Sequence, residues 1–200
     1  MCYHTIINKS PDELQSRFNA NFDTGVPFLP GIFNAFQHPL TPIITNQHPD
    51  TIQLFSWGLV PHWAKDTSIQ KNTLNARIET LHEKPSFKYI LSNRCLILAD
   101  GFYEWQWLDD KGKQKQKYLL TIPDKELFAF AGLWNVWQDK TSNQQLHTYT
   151  IITTAANELM SKIHNTKKRM PVIVSKEHET DWLSGKELIM QNDRLVGVIV

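Results

Sequence analysis

The sequence predicts a strand-rich α+β fold, in which a curled antiparallel sheet or barrel carries peripheral helices. Short apolar and β-branched runs recur along the 200 residues between turn signals, which is typical of antiparallel sheets. Helical patterns are fewer and shorter. Hydrophobic residues make up 41% of the chain and charged residues 20%, an ordinary globular balance that fits one domain over residues 1–200.

Nine segments are predicted to form strands, because each combines apolar or β-branched residues with flanking turn residues. They are Pro42–Thr45, Ile52–Leu59, Arg94–Ala99, Phe102–Trp107, Tyr118–Ile122, Leu127–Trp134, His147–Thr154, Pro171–Val174 and Leu195–Val200. In the second segment, Phe55, Trp57 and Leu59 share one face by the period of two. The polar segment 109–113 separates two strands and predicts a hairpin turn.

Three segments are predicted to form helices. Ser10 begins the first helix, since its side chain can cap the amino end, Pro11 fits the first turn and Glu13 completes a capping box. The second is Ala155–His164, in which apolar residues face inward, and the third is Lys176–Leu183. All three are expected at the edge of the sheet.

Composition and charge exclude several classes of protein. The formal net charge is +1 at pH 7, so the overall charge points to no particular partner. There is no membrane-spanning stretch and no signal-peptide pattern, and two cysteines cannot form a disulfide framework, so a cytoplasmic protein is expected. Without heptads, a monomer is expected. Without glycine-rich phosphate loops or paired histidine and cysteine ligands, no cofactor and no metal is predicted.

Cys2 is the most distinctive reactive group in the sequence. The residue after Met1 is small, so removal of Met1 is expected to leave cysteine at the amino terminus. Its amine, with an ordinary pKa of about 7.7–8.0, and its thiol, with an ordinary pKa of about 8.5, then lie on adjacent carbons. Such a 1,2-aminothiol condenses with an aldehyde to an imine and closes a thiazolidine ring. By its position alone, Cys2 could also be incidental.

Four other residues are candidates for chemistry or binding, each with a structural alternative. Glu104 lies between Tyr and Trp near the end of an apolar strand, where burial would raise its pKa for acid–base catalysis, or it could face outward. His164 precedes cations that favour a neutral base, or it could interact with a helix dipole. Asn75 could bind a sugar hydroxyl and Arg77 a phosphate, or their segment could be a surface loop. Cys95 is assigned to the core.

Basic residues concentrate in two runs of a kind that usually forms a solvated face. The first comprises Lys111, Lys113, Lys115 and Lys117, and the second comprises Lys162, Lys167, Lys168 and Arg169. The second run surrounds His164, and its cations would attract phosphate.

Five blocks, taken in order along the chain, resemble the SOS-response-associated peptidase (SRAP) family. They are Cys2 directly after Met1, the segment 57–66 (Trp-Gly-Leu-Val-Pro-His-Trp-Ala-Lys-Asp), the segment 75–80 (Asn-Ala-Arg-Ile-Glu-Thr), the segments 94–96 (Arg-Cys-Leu) and 101–105 (Gly-Phe-Tyr-Glu-Trp), and His164 leading to 169–172 (Arg-Met-Pro-Val). Members of that family crosslink to abasic sites in single-stranded DNA. The resemblance spans nearly the whole chain and implies an SRAP-like fold, with single-stranded DNA containing abasic sites as the partner.

The resemblance also implies a role for each matching residue. Cys2 would capture the ring-opened sugar aldehyde, Asn75 would orient that sugar, and Glu104 would assist ring opening and proton transfer. His164 would act on the sugar hydroxyl, or on ring closure and reversal. The DNA-binding residues implied by the resemblance or by charge are Arg77, Arg169, Trp63 and Lys168, with Trp63 packing against unstacked bases.

Two departures from the family pattern bear on these roles. The family commonly begins Met-Cys-Gly-Arg, whereas Tyr3 and His4 follow Cys2 here, so a phosphate contact from a fourth-position arginine is missing or weakened. Family members often place the histidine closer to Arg-Met-Pro, whereas the segment 165–168 intervenes here. The role of His164 therefore requires this loop to fold back, and its added cations could compensate by nonspecific attraction.

Three other functions stay open at the level of sequence. Cys2 and His164 could form the nucleophile and base of a thiol peptidase, including one that acts on itself. An amidotransferase with an amino-terminal cysteine is disfavoured by Tyr3 and His4 and by the scarcity of glycine. A noncovalent nucleic-acid binding module would use Trp63 and the cations alone, and it predicts no covalent product.

Overall fold

The computed structural model describes residues 2–23, 25, 27–190 and 192–200, so the predicted removal of Met1 concerns a residue outside this range. Strands dominate the described residues. The strands are β1 His4–Ile7, β2 Asn21–Phe22, β3 Gly31–Asn34, β4 Leu40–Thr45, β5 His48–Trp57, β6 Asn75–Arg77, β7 Arg94–Ala99, β8 Gly101–Trp107, β9 Lys115–Thr121, β10 Phe128–Gln138, β11 Gln145–Ala155, β12 Arg169–Pro171, β13 Ile173–Val174 and β14 Val196–Ile199. The α-helices are α1 Pro11–Phe18, α2 Glu158–Ile163 and α3 Glu179–Leu183.

The larger sheet closes on itself to form a barrel. Its main path runs β12-β11-β10-β7-β4-β5-β2, with antiparallel pairing from β12 as far as β5. A parallel pairing of β5 with β11, which matches Ser56 to Thr148, joins the two ends of the five-strand ring. The predicted strand-rich α+β class with a curled sheet or barrel is therefore confirmed.

A second, five-stranded sheet carries the amino terminus. Its order is β14-β9-β8-β1-β3, so β1 lies between β3 and β8. The β8–β9 hairpin forms around the predicted turn, where the Asp109 carboxylate accepts hydrogen bonds from backbone N–H groups of the loop. Because β1 is paired on both sides, the chain directly before it is held against both neighbouring strands.

The first two helices each begin directly after a residue whose side chain caps the amino end. Ser10 Oγ accepts from the Glu13 N–H at 3.3 Å and the Glu13 carboxylate accepts from the Ser10 N–H at 2.8 Å, which confirms the predicted capping box. The second helix starts at Glu158 rather than Ala155, because β11 extends to Ala155 and Asn157 caps the helix through its side-chain oxygen. The third is divided into a 3-10 turn at 176–178 and α3.

Four strands lie outside the sequence prediction, and one predicted strand is divided. The unpredicted strands are β1, β2, β3 and β6. The predicted strand Pro171–Val174 divides at Val172, whose N–H donates to Ile152 O and whose carbonyl accepts from Ala131 N, both at 2.9 Å. Val172 thus bridges two strands of the barrel.

The core lies mainly in two apolar clusters. One contains Cys2, Trp57, Phe102, Phe130 and Tyr149, and the other is built around Leu14, Ile52, Ala129 and Ile152. Cys95 has no exposed surface, as the sequence predicted. In the described part of the chain, none of the helices combines the length and apolar character needed to cross a membrane.

Candidate active site

Cys2 lies buried two residues before β1, the strand that runs between β8 and β3 in the smaller sheet. In that sheet His4 pairs with Tyr103 and Thr5 with Phe102, so the antiparallel register carries Cys2 toward the segment 104–105. The Cys2 carbonyl accepts a hydrogen bond of 2.9 Å from Asn75 Nδ2. The main chain of Cys2 is therefore held by Asn75, directly before the segment that β1 pairing fixes.

Glu104 faces the interior from the middle of β8. Only 4% of its surface is exposed, whereas Tyr103 and Trp105 on either side are partly exposed, as the strand period requires. Burial raises the pKa of Glu104 from its ordinary value of 4.5 to about 7. A carboxyl group in this condition can both donate and accept a proton near neutral pH.

The thiol of Cys2 is held in its protonated form. Burial raises the pKa of this thiol well above its ordinary value, and the charge of Glu104 raises it further. This is the opposite of the shift that activates a cysteine nucleophile, which needs cations or a helix amino terminus to stabilise its thiolate. The site thus presents a neutral thiol beside a carboxyl group that titrates near pH 7.

Asn75 offers a hydrogen-bond acceptor beside Cys2. It lies on β6, which pairs in parallel with β11 and matches Asn75 to Ile151. Its Nδ2 is used by Cys2, while its Oδ1 is buried and has no hydrogen-bond partner among the described residues. Since an unpaired buried acceptor is costly, this oxygen is suited to receive an O–H donor from a ligand.

His164 ends α2, and the loop after it folds back as its proposed role requires. Lys168 adopts a left-handed conformation (φ 49°) and its N–H donates to His164 O at 2.9 Å. The Nδ1 of His164 lies 3.0 Å from Arg169 O and 3.1 Å from Arg169 N. Burial is the main cause that lowers the pKa of His164 to about 4, and nearby positive charges lower it further, so the imidazole is neutral near pH 7.

Arg169 is engaged in a structural ion pair. Its guanidinium makes two hydrogen bonds with the Glu79 carboxylate, at 2.7 and 2.9 Å, and a third to Thr153 O at 2.7 Å. Only 8% of Arg169 is exposed. A phosphate contact, as the sequence predicted for Arg169, would require breaking this pair. The main chain of Arg169 also contacts the ring of His164.

The remaining predicted binding residues are exposed. Arg77 ends β6 two residues after Asn75 and therefore projects to the same side of that strand. Lys168 lies on the exposed turn after His164. Trp63 is 44% exposed, and its Nε1 donates to Pro85 O at 3.2 Å, which connects it to a different loop from the other candidates.

The structure adds residues that the sequence interpretation did not single out. Glu79 lies within the block 75–80, but only its pairing with Arg169, 90 residues away, reveals its role. Tyr149 lies fully buried in the same cluster as Cys2 and shares a 2.7 Å hydrogen bond with Thr41. Its buried position in β11 was foreseeable from the apolar run, but the bond to Thr41 was not. No group of three or more His, Cys, Asp or Glu residues suited to a metal occurs in the described ranges.

The fold and this site define the class of protein. The family model "SOS response associated peptidase (SRAP)" matches residues 1–196, and the chain therefore belongs to the SRAP family. One relative, the abasic site processing protein YoqW of Bacillus subtilis, is 41% identical over 190 residues, covering 93% of this chain and 81% of the relative. The abasic site processing protein HMCES of Gallus gallus is 36% identical over 156 residues, covering 66% of this chain and 45% of the relative.

Solved structures show the same fold. A crystal structure of a protein from Bacteroides thetaiotaomicron aligns over 100% of this chain and 92% of its own, with a TM-score of 0.88 and 32% identity. A second, from Bordetella bronchiseptica, aligns over 100% and 99% with a TM-score of 0.83 and 25% identity.

Proposed function

We propose that this chain processes abasic sites in single-stranded DNA by forming a covalent thiazolidine crosslink through Cys2, after removal of Met1. The proposal is supported by the names of its relatives and by one observation above all. Asn75 holds the main chain of Cys2 beside Glu104, a buried carboxyl group with a pKa of about 7. The chain is proposed to act as a cytoplasmic monomer comprising one domain over residues 1–200.

The first step opens the sugar and forms an imine. An abasic deoxyribose exists as a closed hemiacetal with a small fraction of open aldehyde. Protonated Glu104 would donate a proton to the ring oxygen as the ring opens, and the proton of the anomeric hydroxyl would return to Glu104. The Cys2 amine would then add to the aldehyde carbon. Loss of water from this adduct, again with a proton from Glu104, gives the imine, and such proton transfer typically contributes ~10²–10⁴-fold.

The second step closes the sulfur ring. The thiol of Cys2 would add across the carbon–nitrogen double bond, so that a carbon–sulfur bond forms and the thiol proton passes to nitrogen through Glu104. Ring closure removes the imine before it can promote loss of the 3′ phosphate. The product therefore shields the lesion, and a slow strand-cleaving lyase activity would arise only while the imine persists.

Asn75 and His164 would orient the sugar. The unpaired Oδ1 of Asn75 can accept a hydrogen bond from a sugar hydroxyl. His164, kept neutral by burial, can accept a proton from a sugar hydroxyl and later return it. It would also act when the thiazolidine ring opens again and the crosslink is reversed. Holding the two reacting groups together in this way can contribute about 7–11 kcal/mol in well-oriented systems.

The protonation of Cys2 favours this chemistry over peptidase activity. A thiol peptidase attacks with a thiolate, usually generated by a nearby histidine. Here burial raises the thiol pKa, while burial lowers the pKa of His164. A neutral thiol that attacks an imine after the amine has reacted fits these directions, because that step needs no preformed thiolate.

Exposed cations and an aromatic residue would hold the strand. Arg77, close to Asn75 on β6, would contact a phosphate next to the lesion, and Lys168 would add attraction from the turn after His164. Trp63, which lies against the loop that contains Pro85, would pack against an unstacked base. Binding should therefore weaken as salt concentration rises.

The experiment is a denaturing-gel assay with three single-stranded oligonucleotides: one with an aldehyde-bearing abasic site, one with a reduced abasic analogue and one undamaged. A stable crosslink is expected with the first alone. Cys2→Ala should abolish it, and Cys2→Ser should allow at most an imine that can be trapped by reduction. Cys95→Ala is the matched control, since Cys95 is equally buried and should not affect the product. A stable crosslink of undiminished yield with Cys2→Ala would overturn the proposal.

A further inference from the structure

We propose that Tyr3 and Phe36 form a stacking platform for the nucleobase that flanks the abasic sugar. This pair would make the affinity for damaged DNA depend on the neighbouring base. The inference rests on the proposed function, because it takes the nucleotide at Cys2 to be part of a single strand. It starts from the aromatic residue that directly follows Cys2 in this chain.

The two rings form a defined pair. Their centroids are 4.9 Å apart with an interplanar angle of 38°. Ala35 N donates to Tyr3 O at 2.8 Å, and β1 pairs with β3 from His4 to Asn34, so both backbones are held together. Asn34 Oδ1 accepts from Phe36 N at 3.0 Å and caps the 3-10 turn that carries Phe36. The relative position of the rings is therefore built into the fold.

The pair extends from the reaction centre to solvent. Tyr3 is half-buried and packs against the cluster that contains Cys2, while 56% of Phe36 is exposed. Burial, followed by the charges of Glu104 and Cys2, raises the pKa of the Tyr3 hydroxyl, so Tyr3 is uncharged near pH 7. The two uncharged rings thus extend from Cys2 to the solvent-exposed surface of the protein. Leu40, close in sequence to Phe36, is also 49% exposed.

A nucleobase is the ligand that fits this surface. An abasic nucleotide has no base of its own, so each neighbouring base loses one stacking partner at the lesion. A strand whose sugar reaches Cys2 must bring its flanking nucleotides past the residues next to Cys2. Aromatic rings replace lost stacking without hydrogen-bond readout, and each stacked base typically changes affinity by on the order of ten-fold.

The experiment measures affinity in the absence of covalent chemistry. Wild type is titrated with single strands that carry one reduced abasic analogue, flanked on both sides either by adenines or by further baseless nucleotides. We expect adenine flanks to bind about ten-fold more tightly. Phe36→Leu and Tyr3→Leu should remove most of this difference, whereas Tyr3→Phe, which keeps the ring, should retain it.

Matched controls separate the platform from general effects. Ile189→Ala removes an exposed apolar side chain at the other end of the chain and should leave the flank dependence intact. Unchanged thermal midpoints show that each variant is folded. The inference is overturned if wild type does not distinguish the two flanks, or if both leucine variants distinguish them as wild type does. Crosslinking of aldehyde-bearing strands is scored separately, so its absence would refute the proposed function without deciding the flank dependence.

Discussion

Replacing Glu104 by glutamine should change how the stability of the protein depends on pH. Burial raises the pKa of Glu104 from 4.5 to about 7, so the folded chain retains a proton that the unfolded chain releases between these values. Each pKa unit corresponds to about 1.36 kcal/mol, so wild type should lose about 3 kcal/mol of unfolding free energy between pH 4.5 and pH 7 from this group. Because 4% of Glu104 is exposed, solvent screening reduces this little.

Glu104→Gln keeps the shape of the protonated acid but cannot ionise. Below about pH 4.5 the difference in unfolding free energy between variant and wild type should be at its minimum. It should then rise in favour of the variant and level off above pH 7, about 3 kcal/mol higher. Urea denaturation at several pH values measures this gap directly.

The same variant should form the crosslink ~10²–10⁴-fold more slowly near neutral pH, since glutamine cannot transfer a proton. The combination of greater alkaline stability and slower reaction distinguishes a strained catalytic acid from a structural one. A difference in stability that stays constant across this pH range would mean that Glu104 titrates at the same pH in the folded and unfolded chain, and it would rule out a raised pKa for this group.

Three further predictions follow from the other site residues. His164→Gln should slow crosslinking in a timed gel assay, but the rate profile should still turn near pH 7, because Glu104 and not His164 titrates there. Glu79→Gln should lower the unfolding free energy measured in urea by about 1–2 kcal/mol, because it leaves the buried guanidinium of Arg169 without an anionic partner. The loss is smaller than for a fully buried pair because Glu79 is partly exposed. Arg77→Ala should reduce the salt slope of single-strand binding by about 1.

Control variants and opposing results make these predictions testable. Glu158→Gln removes an exposed ion pair with Lys162 and should leave stability nearly unchanged. If Glu79→Gln had no larger effect than this control, the Arg169–Glu79 ion pair would not stabilise the fold. Lys111→Ala, in the exposed hairpin, is the charge-matched control for Arg77→Ala. If the crosslinking rate of His164→Gln no longer changed with pH near pH 7, the group that titrates there would be His164 and not Glu104.

The strands with local signals were predictable, and those paired over long distances were not. The β8–β9 hairpin follows from a polar turn between apolar runs, as does the capping box of α1. β1 is four residues long and is stabilised by pairing with β8, about 100 positions away, which no local pattern encodes. β6 has a polar sequence, and its strand conformation depends on parallel pairing with β11.

The candidate site shows the same division. Residue chemistry drew attention to Cys2, Glu104 and Asn75, because an aminothiol, an acid among apolar residues and an amide in a packed segment are unusual in themselves; their roles stay predictions. The pairing of Arg169 with Glu79 depends on two strands that flank β11, so sequence offered both charges without their partnership. The sequence also did not show which of the basic residues are exposed, and Arg169 is buried in the structure.

The mass of the crosslinked amino-terminal peptide before and after treatment with borohydride tests the proposed thiazolidine most directly. A thiazolidine at Cys2 requires a peptide that begins at Cys2 and carries the sugar with loss of one water. Its mass should not change with borohydride, since a thiazolidine has no carbon–nitrogen double bond to reduce. A crosslink mapped to another residue, or one that gains two hydrogens on reduction, would contradict a thiazolidine at Cys2.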